Sequence, residues 1–237
     1  MADFLLIHGS CHGAWCWRDL IPALIAAGHT ARAIDLPGHG DESRDLGSVT
    51  LAETAEAIVA ATTPDTIVLG HSWAGFPISA AAEAAPGALR GLIYLCAYVP
   101  VSGQSLIEMR KAGPRQTIGS AALKAPDGAS YRIDPTEAPR LFYHDCPAEA
   151  VAYALPRLCA QPILPQDTPL TLGKNWQDTQ KAYIRCTNDQ TIPPEYQAQM
   201  VADWPRNTVH EMQCSHSPFF ADPDGLADLI GHIAKDF

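Results

Sequence analysis

Three residues that lie far apart in the chain, Ser72, Asp189 and His216, have the side chains of a nucleophilic hydrolytic site. A serine hydroxyl is a weak nucleophile at neutral pH and needs a base to take its proton. An imidazole base in turn needs an acid that holds its tautomer and stabilises its cation. We therefore predict a triad in which Ser72 attacks an acyl carbon, His216 transfers the proton to the leaving alcohol, and Asp189 stays ionised.

The turn around the serine, "VLGHSWAGF" at residues 68–76, nearly matches the G-x-S-x-G pattern that exposes a nucleophile between a strand and a helix. Ala74 stands in place of the last glycine, and Gly75 follows one position later. The first turn of a helix does not require a positive φ. We therefore predict a negative, helical φ at Ala74, with its methyl group packed at the strand–helix junction. The alternative is that Ser72 only caps the helix.

An acyl-transfer site also needs hydrogen-bond donors for the oxyanion of its tetrahedral intermediate. We expect one donor to be the backbone N–H of Trp73, directly after the serine, and the other to be that of Ser10, in the loop "HGSCHGAWCW". His8, His12 and His39 could suggest a metal site. Because no H-E-x-x-H pattern accompanies them, we predict structural hydrogen bonding instead, with no metal and no cofactor.

The elements that position these residues are short apolar runs that alternate with helical patterns. Such alternation indicates βαβ units and predicts an α/β fold with a mainly parallel six-stranded sheet and helices on both faces. The strand patterns are "FLLIHG", "TARAIDLPGHG", "DTIVLG", "LRGLIYLCAYV", "KAYIRCTND" and "NTVHEMQ". Ligands bind beyond the carboxyl ends of the strands in such sheets, and the three triad residues follow their strands at that edge.

The middle of the chain has a different pattern. In residues 101–180 strand patterns vanish, and this third holds nine of the chain's 20 prolines. We interpret residues 101–180 as an insertion of short helices that forms a cap over the sheet. The core is then residues 1–100 and 181–237, and both parts belong to one structural domain.

Composition narrows the classes of function. The formal net charge of −10 and the lack of a basic cluster disfavour nucleic acid and anionic membranes as partners. The first residues carry an acid where a signal peptide needs a base, and no apolar run approaches membrane-spanning length. Seven scattered cysteines without a C-x-x-C pair favour reduced thiols. These features predict a cytoplasmic protein, monomeric or homodimeric, that acts on a small molecule.

Several segments together resemble the α/β-hydrolase superfamily, in particular the small branch with plant methyl esterases, the salicylate-binding esterase and the hydroxynitrile lyases. The resemblance runs from end to end and rests on "LLIHGSCHGAWCW", "DLPGHG", "GHSWAG", "CAQPILP", "AYIRCTNDQTIPPEYQ" and "SHSPF". It implies the same triad and the same oxyanion donors. The lyases resemble one another in having a lysine directly after the catalytic histidine, where this chain has Ser217. They also tend to have a glutamate directly before the serine, where this chain has His71.

Ester hydrolysis is therefore the expected activity, on a small or medium ester with an apolar part. We predict that aromatic residues form the apolar walls of the substrate pocket. The candidates are Trp15, Phe76, Phe142 and Phe219. Two alternatives stay open. One is a carbon–carbon lyase or hydrolase on the same triad, and the other is a ligand-binding receptor with little turnover.

Overall fold

The centre of the molecule is a sheet of six parallel strands. The computed structural model describes residues 1–40 and 44–237. The strand order is β2-β1-β3-β4-β8-β9, and every neighbouring pair is parallel. The strands are β1 Asp3–Ile7, β2 Thr30–Ile34, β3 Thr66–His71, β4 Gly91–Leu95, β8 Gln180–Cys186 and β9 Val209–Met212. The predicted six-stranded sheet is confirmed.

Eleven α-helices occur in the described part of the chain, and the longest has 11 residues. Within these two ranges, none is long and apolar enough to cross a bilayer. The helices are α1 Leu20–Ala26, α2 Leu51–Ala60, α3 Gly75–Ala84, α4 Leu106–Ala112, α5 Ala138–Phe142, α6 Ala148–Ala154, α7 Leu164–Asp167, α8 Lys174–Asp178, α9 Pro194–Met200, α10 Pro218–Ala221 and α11 Pro223–Ile233.

Each strand of a fully covered sheet buries side chains on both faces, and β1 shows this clearly. Phe4 and Leu6 enter the core that α1 and α11 cover. Leu5 and Ile7 point the other way, into the core that α2, α3 and α9 cover. All four side chains are fully buried. Helices on both faces, as predicted, therefore produce two hydrophobic cores on either side of the sheet.

The insertion differs from the prediction of helices alone. It contains a second, three-stranded antiparallel sheet, with strands β5 Ala122–Lys124, β6 Ser130–Ile133 and β7 Gln161–Pro162. These strands have only two to four residues, too few to show an alternating pattern in the sequence. Gln180, which the prediction includes in the insertion, pairs with Gly91 in the central sheet.

The connection from β3 to α3 holds an unusual backbone conformation. Ser72 has a φ of 58°, in the left-handed region. Ala74 has a φ of −60° and a ψ of −12° and is fully buried, so its predicted helical conformation is confirmed. The close approach falls instead at Gly75, where an added Cβ would overlap the Tyr98 carbonyl oxygen. The chain after β4 is held there because Tyr98 N–H donates to the Ser72 carbonyl at 3.0 Å.

We predict that Gly75 tolerates substitution less well than its neighbour Ala74. Gly75→Ala should lower the free energy of unfolding by about 3 kcal/mol, because the added methyl group meets backbone atoms that cannot rotate away. Ala74→Gly should lower it by only about 1–2 kcal/mol, through a lost buried methyl group and greater freedom of the unfolded chain. Urea unfolding of both variants measures this difference. Equal losses would contradict the assignment of the close contact to Gly75.

Candidate active site

Ser72, His216 and Asp189 meet beyond the carboxyl ends of β3, β9 and β8. The Ser72 hydroxyl donates to His216 Nε2 at 3.0 Å, and His216 Nδ1–H donates to Asp189 Oδ2 at 2.7 Å. All three residues are buried, with 5%, 1% and 1% of their surface exposed. The structure thus brings together three residues separated by up to 144 positions. The arrangement can transfer a proton from the hydroxyl to the imidazole.

The Asp189 carboxylate is surrounded by donors. Its Oδ1 accepts the backbone N–H groups of Thr191 and Ile192, at 2.6 and 2.9 Å. Its Oδ2 accepts Gln197 Nε2 at 2.9 Å in addition to His216. A buried carboxylate is unfavourable unless its lone pairs are hydrogen-bonded, and these four donors meet that requirement. Gln197, on α9, positions the Asp189 carboxylate, and no motif in the sequence identifies it.

The loop that carries His216 is fixed on both sides of the imidazole. His71 Nε2–H donates to the His216 carbonyl at 2.8 Å, and the Cys96 thiol donates to the same oxygen at 3.5 Å. Asp145 Oδ2 accepts the N–H of Ser215 at 2.6 Å. His71, directly before Ser72, therefore ties the Ser72 turn to the His216 loop.

The two predicted oxyanion residues lie in the wall of one cavity with Ser72. Trp73 is in the first turn of the 3₁₀ helix Ser72–Ala74, where N–H groups have no partner inside the helix. Ser10 is in the loop after β1, and its hydroxyl accepts Gln166 Nε2 at 2.8 Å. Next to it, Cys11 N–H donates to Gln161 Oε1 at 3.2 Å. The insertion therefore helps to hold this loop.

The histidines near the site are held neutral by their surroundings. Burial lowers the pKa of His8 and His71 well below the ordinary value, and lowers that of His12 to about 4. His8 Nε2 accepts the Leu36 N–H at 3.1 Å. His12 donates to the Ser10 carbonyl and accepts from the Tyr143 hydroxyl, at 2.7 and 2.6 Å. These contacts are the hydrogen-bonding roles that the sequence predicts for His8 and His12.

In the described part of the chain, three other residues bring possible metal ligands close together. Ligand atoms of His71, Cys96 and His216 lie within 4.8 Å of one another. His71 Nε2 and the Cys96 thiol both donate to the His216 carbonyl. Both ring nitrogens of His216 are hydrogen-bonded, to Asp189 and Ser72. The trio is therefore explained by the hydrogen bonds that position His216.

The four aromatic residues predicted for the substrate pocket take different positions relative to the cavity of Ser72. Phe142 lies in the wall of the cavity and stacks on His216, with ring centroids 5.9 Å apart. Trp15 instead stacks on the far side of His12, at 5.3 Å, and Phe219 packs against His71 at 5.1 Å. Phe76 enters the core beneath α3. Trp15, Phe76 and Phe219 are not among the described residues that line this cavity.

Among the described residues that line the cavity, six come from the insertion. Besides Phe142, they include one basic residue, Arg110, which the sequence analysis did not single out. The remaining wall residues from this segment are Leu106, Ile118, Tyr131 and Ile133. An arginine in a helix of mixed composition gives no signal of function in the sequence alone, and only the fold places it beside Ser72.

Comparison with known proteins identifies a family for this arrangement. The profile described as "Alpha/beta hydrolase family" matches residues 4–229. The chain is 31% identical to the carbendazim hydrolyzing esterase of Nocardioides sp. (strain SG-4G) over 98% of this chain and 100% of that protein. It is 29% identical to Methylesterase 1 of Arabidopsis thaliana, with 99% and 96% covered.

A solved structure has the same architecture. The crystal structure of a pyrethroid hydrolase from Sphingobium faniae JZ-2 superposes with a TM-score of 0.87 at 26% identity. The superposition covers 99% of this chain and 97% of that chain. Both the central sheet and the insertion are therefore compared over nearly their whole length.

Because the buried histidines have lowered pKa values, we predict that the free energy of unfolding decreases in acid. Burial lowers the pKa of His12 from 6.5 to about 4, so below pH 6.5 the unfolded chain binds a proton that the folded chain does not. The stabilisation is complete above pH 6.5, falls as the pH drops toward 4, and amounts to roughly 3 kcal/mol for this residue. Urea unfolding between about pH 7 and pH 5 should show a smaller pH dependence for His12→Gln than for wild type. The same slope in both would contradict this account.

Proposed function

The chain belongs to the alpha/beta hydrolase family, and from that premise we propose that it is a carboxylesterase working through an acyl-enzyme on Ser72. The observation that carries the proposal is the unbroken hydrogen-bond chain from the Ser72 hydroxyl through His216 to Asp189, at 3.0 and 2.7 Å. The esterase and methylesterase names of the relatives support ester hydrolysis. The proposed substrate is a small or medium ester.

In the acylation step, Ser72 Oγ attacks the acyl carbon of the ester while its proton moves to His216 Nε2. The carbonyl π electrons move onto the carbonyl oxygen, which accepts the N–H groups of Trp73 and Ser10. When the tetrahedral intermediate collapses, the bond from carbon to the alkoxy oxygen breaks. The proton on His216 moves to that oxygen, and the alcohol leaves. Ser72 then holds the acyl group as an ester.

Deacylation repeats these steps with water. His216 takes a proton from the water molecule as its oxygen attacks the acyl carbon, and the same donors hold the oxyanion. The bond to Ser72 Oγ then breaks, and the proton returns to the serine. The products are a carboxylic acid and a regenerated enzyme. Each cycle consumes one water and needs no redox partner, so the chain's own residues suffice for the chemistry.

Asp189 fixes which nitrogen of His216 accepts the proton. Because the carboxylate accepts from Nδ1–H, Nε2 carries the lone pair that faces Ser72. The ionised carboxylate also stabilises the imidazolium that forms during both steps. Directly after His216, the uncharged Ser217 is fully buried. A cation at that position therefore plays no part in the proposed mechanism, which favours ester hydrolysis over the lyase alternative.

We predict that a fluorophosphonate probe labels Ser72. The buried imidazole at 3.0 Å activates this hydroxyl, so wild type should gain one covalent adduct by mass spectrometry. Ser72→Ala should gain none and should lose ester hydrolysis. Ser102→Ala is a suitable control, because Ser102 binds Leu172 at the far end of the insertion. Equal labelling of wild type and Ser72→Ala would exclude the proposed nucleophile.

Asp189→Asn should lower kcat by roughly 10³- to 10⁴-fold. The Thr191 and Ile192 N–H groups require an oxygen at the Oδ1 position, so the new NH₂ must face His216. It then donates to Nδ1, which forces the proton onto Nε2 and removes the base from Ser72. The rate of the first turnover with p-nitrophenyl acetate measures the loss. Asp222→Asn, at the start of α11, is the matched control. A loss below about tenfold would show that another acid serves.

A further inference from the structure

The cavity that contains Ser72 is too small for an ester substrate. Its volume is about 20 Å³, and by the same measure a single water molecule needs about 10–15 Å³. It can accommodate little more than the reacting carbonyl group. The rest of any substrate must therefore extend into a neighbouring space that shares a wall with this cavity.

A second cavity shares that wall. It has a volume of about 370 Å³ and lies within the insertion, which supplies the described residues of its lining. Arg110, Ile118 and Tyr131 line both cavities, so these three side chains separate the reacting centre from the larger space. We call this larger space the outer cavity. Other residues that line it are Ile107, Lys111, Gln116, Lys124, Ile163 and Asp167.

The outer cavity is basic in an acidic protein. Arg110, Lys111 and Lys124 face a single carboxylate, Asp167, whereas the whole chain has a formal net charge of −10. A concave surface lined by one sign of charge attracts ligands of the opposite sign. Of the three cations, Arg110 also lines the cavity of Ser72.

Arg110 has no anionic partner of its own in residues 1–40 and 44–237. Its guanidinium forms none of the ion pairs there, whereas nearby Arg115 is paired with Glu195 at 2.6 Å. Glu108, on the same helix, is engaged with the Ser105 N–H in the helix cap at 2.7 Å. Burial raises the pKa of Tyr98 and Tyr131, and the charge of Arg110 partly opposes that rise.

The helix that carries Arg110 is held firmly. The capping box of Ser105 and Glu108 fixes the start of α4. The Tyr196 hydroxyl donates to the Met109 carbonyl at 2.9 Å and ties α4 to α9. Leu106, one turn before Arg110, lines the Ser72 cavity, which places both side chains on one face of the helix. The fixed helix α4 therefore directs the Arg110 side chain to the boundary between the two cavities.

We propose that Arg110 binds a carboxylate of the substrate, so that the preferred substrate is an ester with a second, ionised carboxyl group, such as a monoester of a dicarboxylic acid. The ester carbonyl lies at Ser72, and the carboxylate extends toward the outer cavity, where the guanidinium fork donates to it. This inference rests on the proposed esterase function. It adds a specificity-determining residue and a chemical class to that function.

The test compares two esters of equal length, monomethyl glutarate and methyl 5-oxohexanoate. The first ends in a carboxylate, and the second ends in a neutral acetyl group. Wild type should have the higher kcat/KM for monomethyl glutarate. In Arg110→Met this preference should fall about 10- to 100-fold, mainly through KM, because a charge-assisted hydrogen bond is lost. Arg110→Lys should give an intermediate value. Arg206→Met removes the same charge at the amino end of β9 and should leave the preference unchanged.

A binding measurement separates this inference from the proposed function. Calorimetry with Ser72→Ala should detect monomethyl glutarate binding, and adding Arg110→Met should weaken it about 10- to 100-fold. Binding that depends on Arg110 without hydrolysis of either ester would support the anion site and overturn the esterase function. The opposite result is that the enzyme hydrolyses the neutral ester, while Arg110→Met changes neither the turnover nor the binding of monomethyl glutarate. That result would overturn the anion site alone.

Discussion

The left-handed backbone at Ser72 is the constraint on which the site depends. Such a conformation costs an L-residue about 1–2 kcal/mol, and the surroundings must offset it. The Ser72 carbonyl accepts the Tyr98 N–H, and Gly75 lets that segment approach the start of α3. In the described part of the chain, the other non-glycine residues with positive φ are Cys11 and Cys96, at the ends of β1 and β4. Backbone strain is thus concentrated around the reacting centre.

Buried polar contacts then connect the strained loops to one another. His71 links the Ser72 turn to the His216 loop, and Gln197 links the Asp189 loop to α9. In a buried setting each of these groups would destabilise the fold if its partner were missing. The polar network therefore specifies one arrangement of the loops rather than adding much net stability, and the hydrophobic cores on either face of the sheet supply the burial that favours folding.

The sequence predicted those parts of the molecule whose signal is local. Six strands, the helical φ of Ala74 and the order of the serine, acid and histidine follow from runs of a few residues. Contacts between distant segments had no such signal: Gln161 reaches Cys11 across 150 positions, and Gln166 reaches Ser10 across 156. Phe76 is predicted to line the pocket because it lies close to Ser72 in the sequence, whereas the structure places it in the core. Because residues 75–82 are all buried, the pattern of α3 does not show which side faces a ligand.

The insertion combines two roles that are often considered separately. Gln161 and Gln166 hold the loop with the Ser10 N–H, while Arg110 and Phe142 form the wall beside Ser72. Tyr131 belongs to both groups, because its hydroxyl donates to Gln166 at 3.1 Å and its ring separates the two cavities. A shift of β6 that enlarged the space for substrate would therefore also move a support of the proposed oxyanion donor. Under the proposed mechanism, substrate range and transition-state stabilisation therefore depend on the same side chain, and a change in one affects the other.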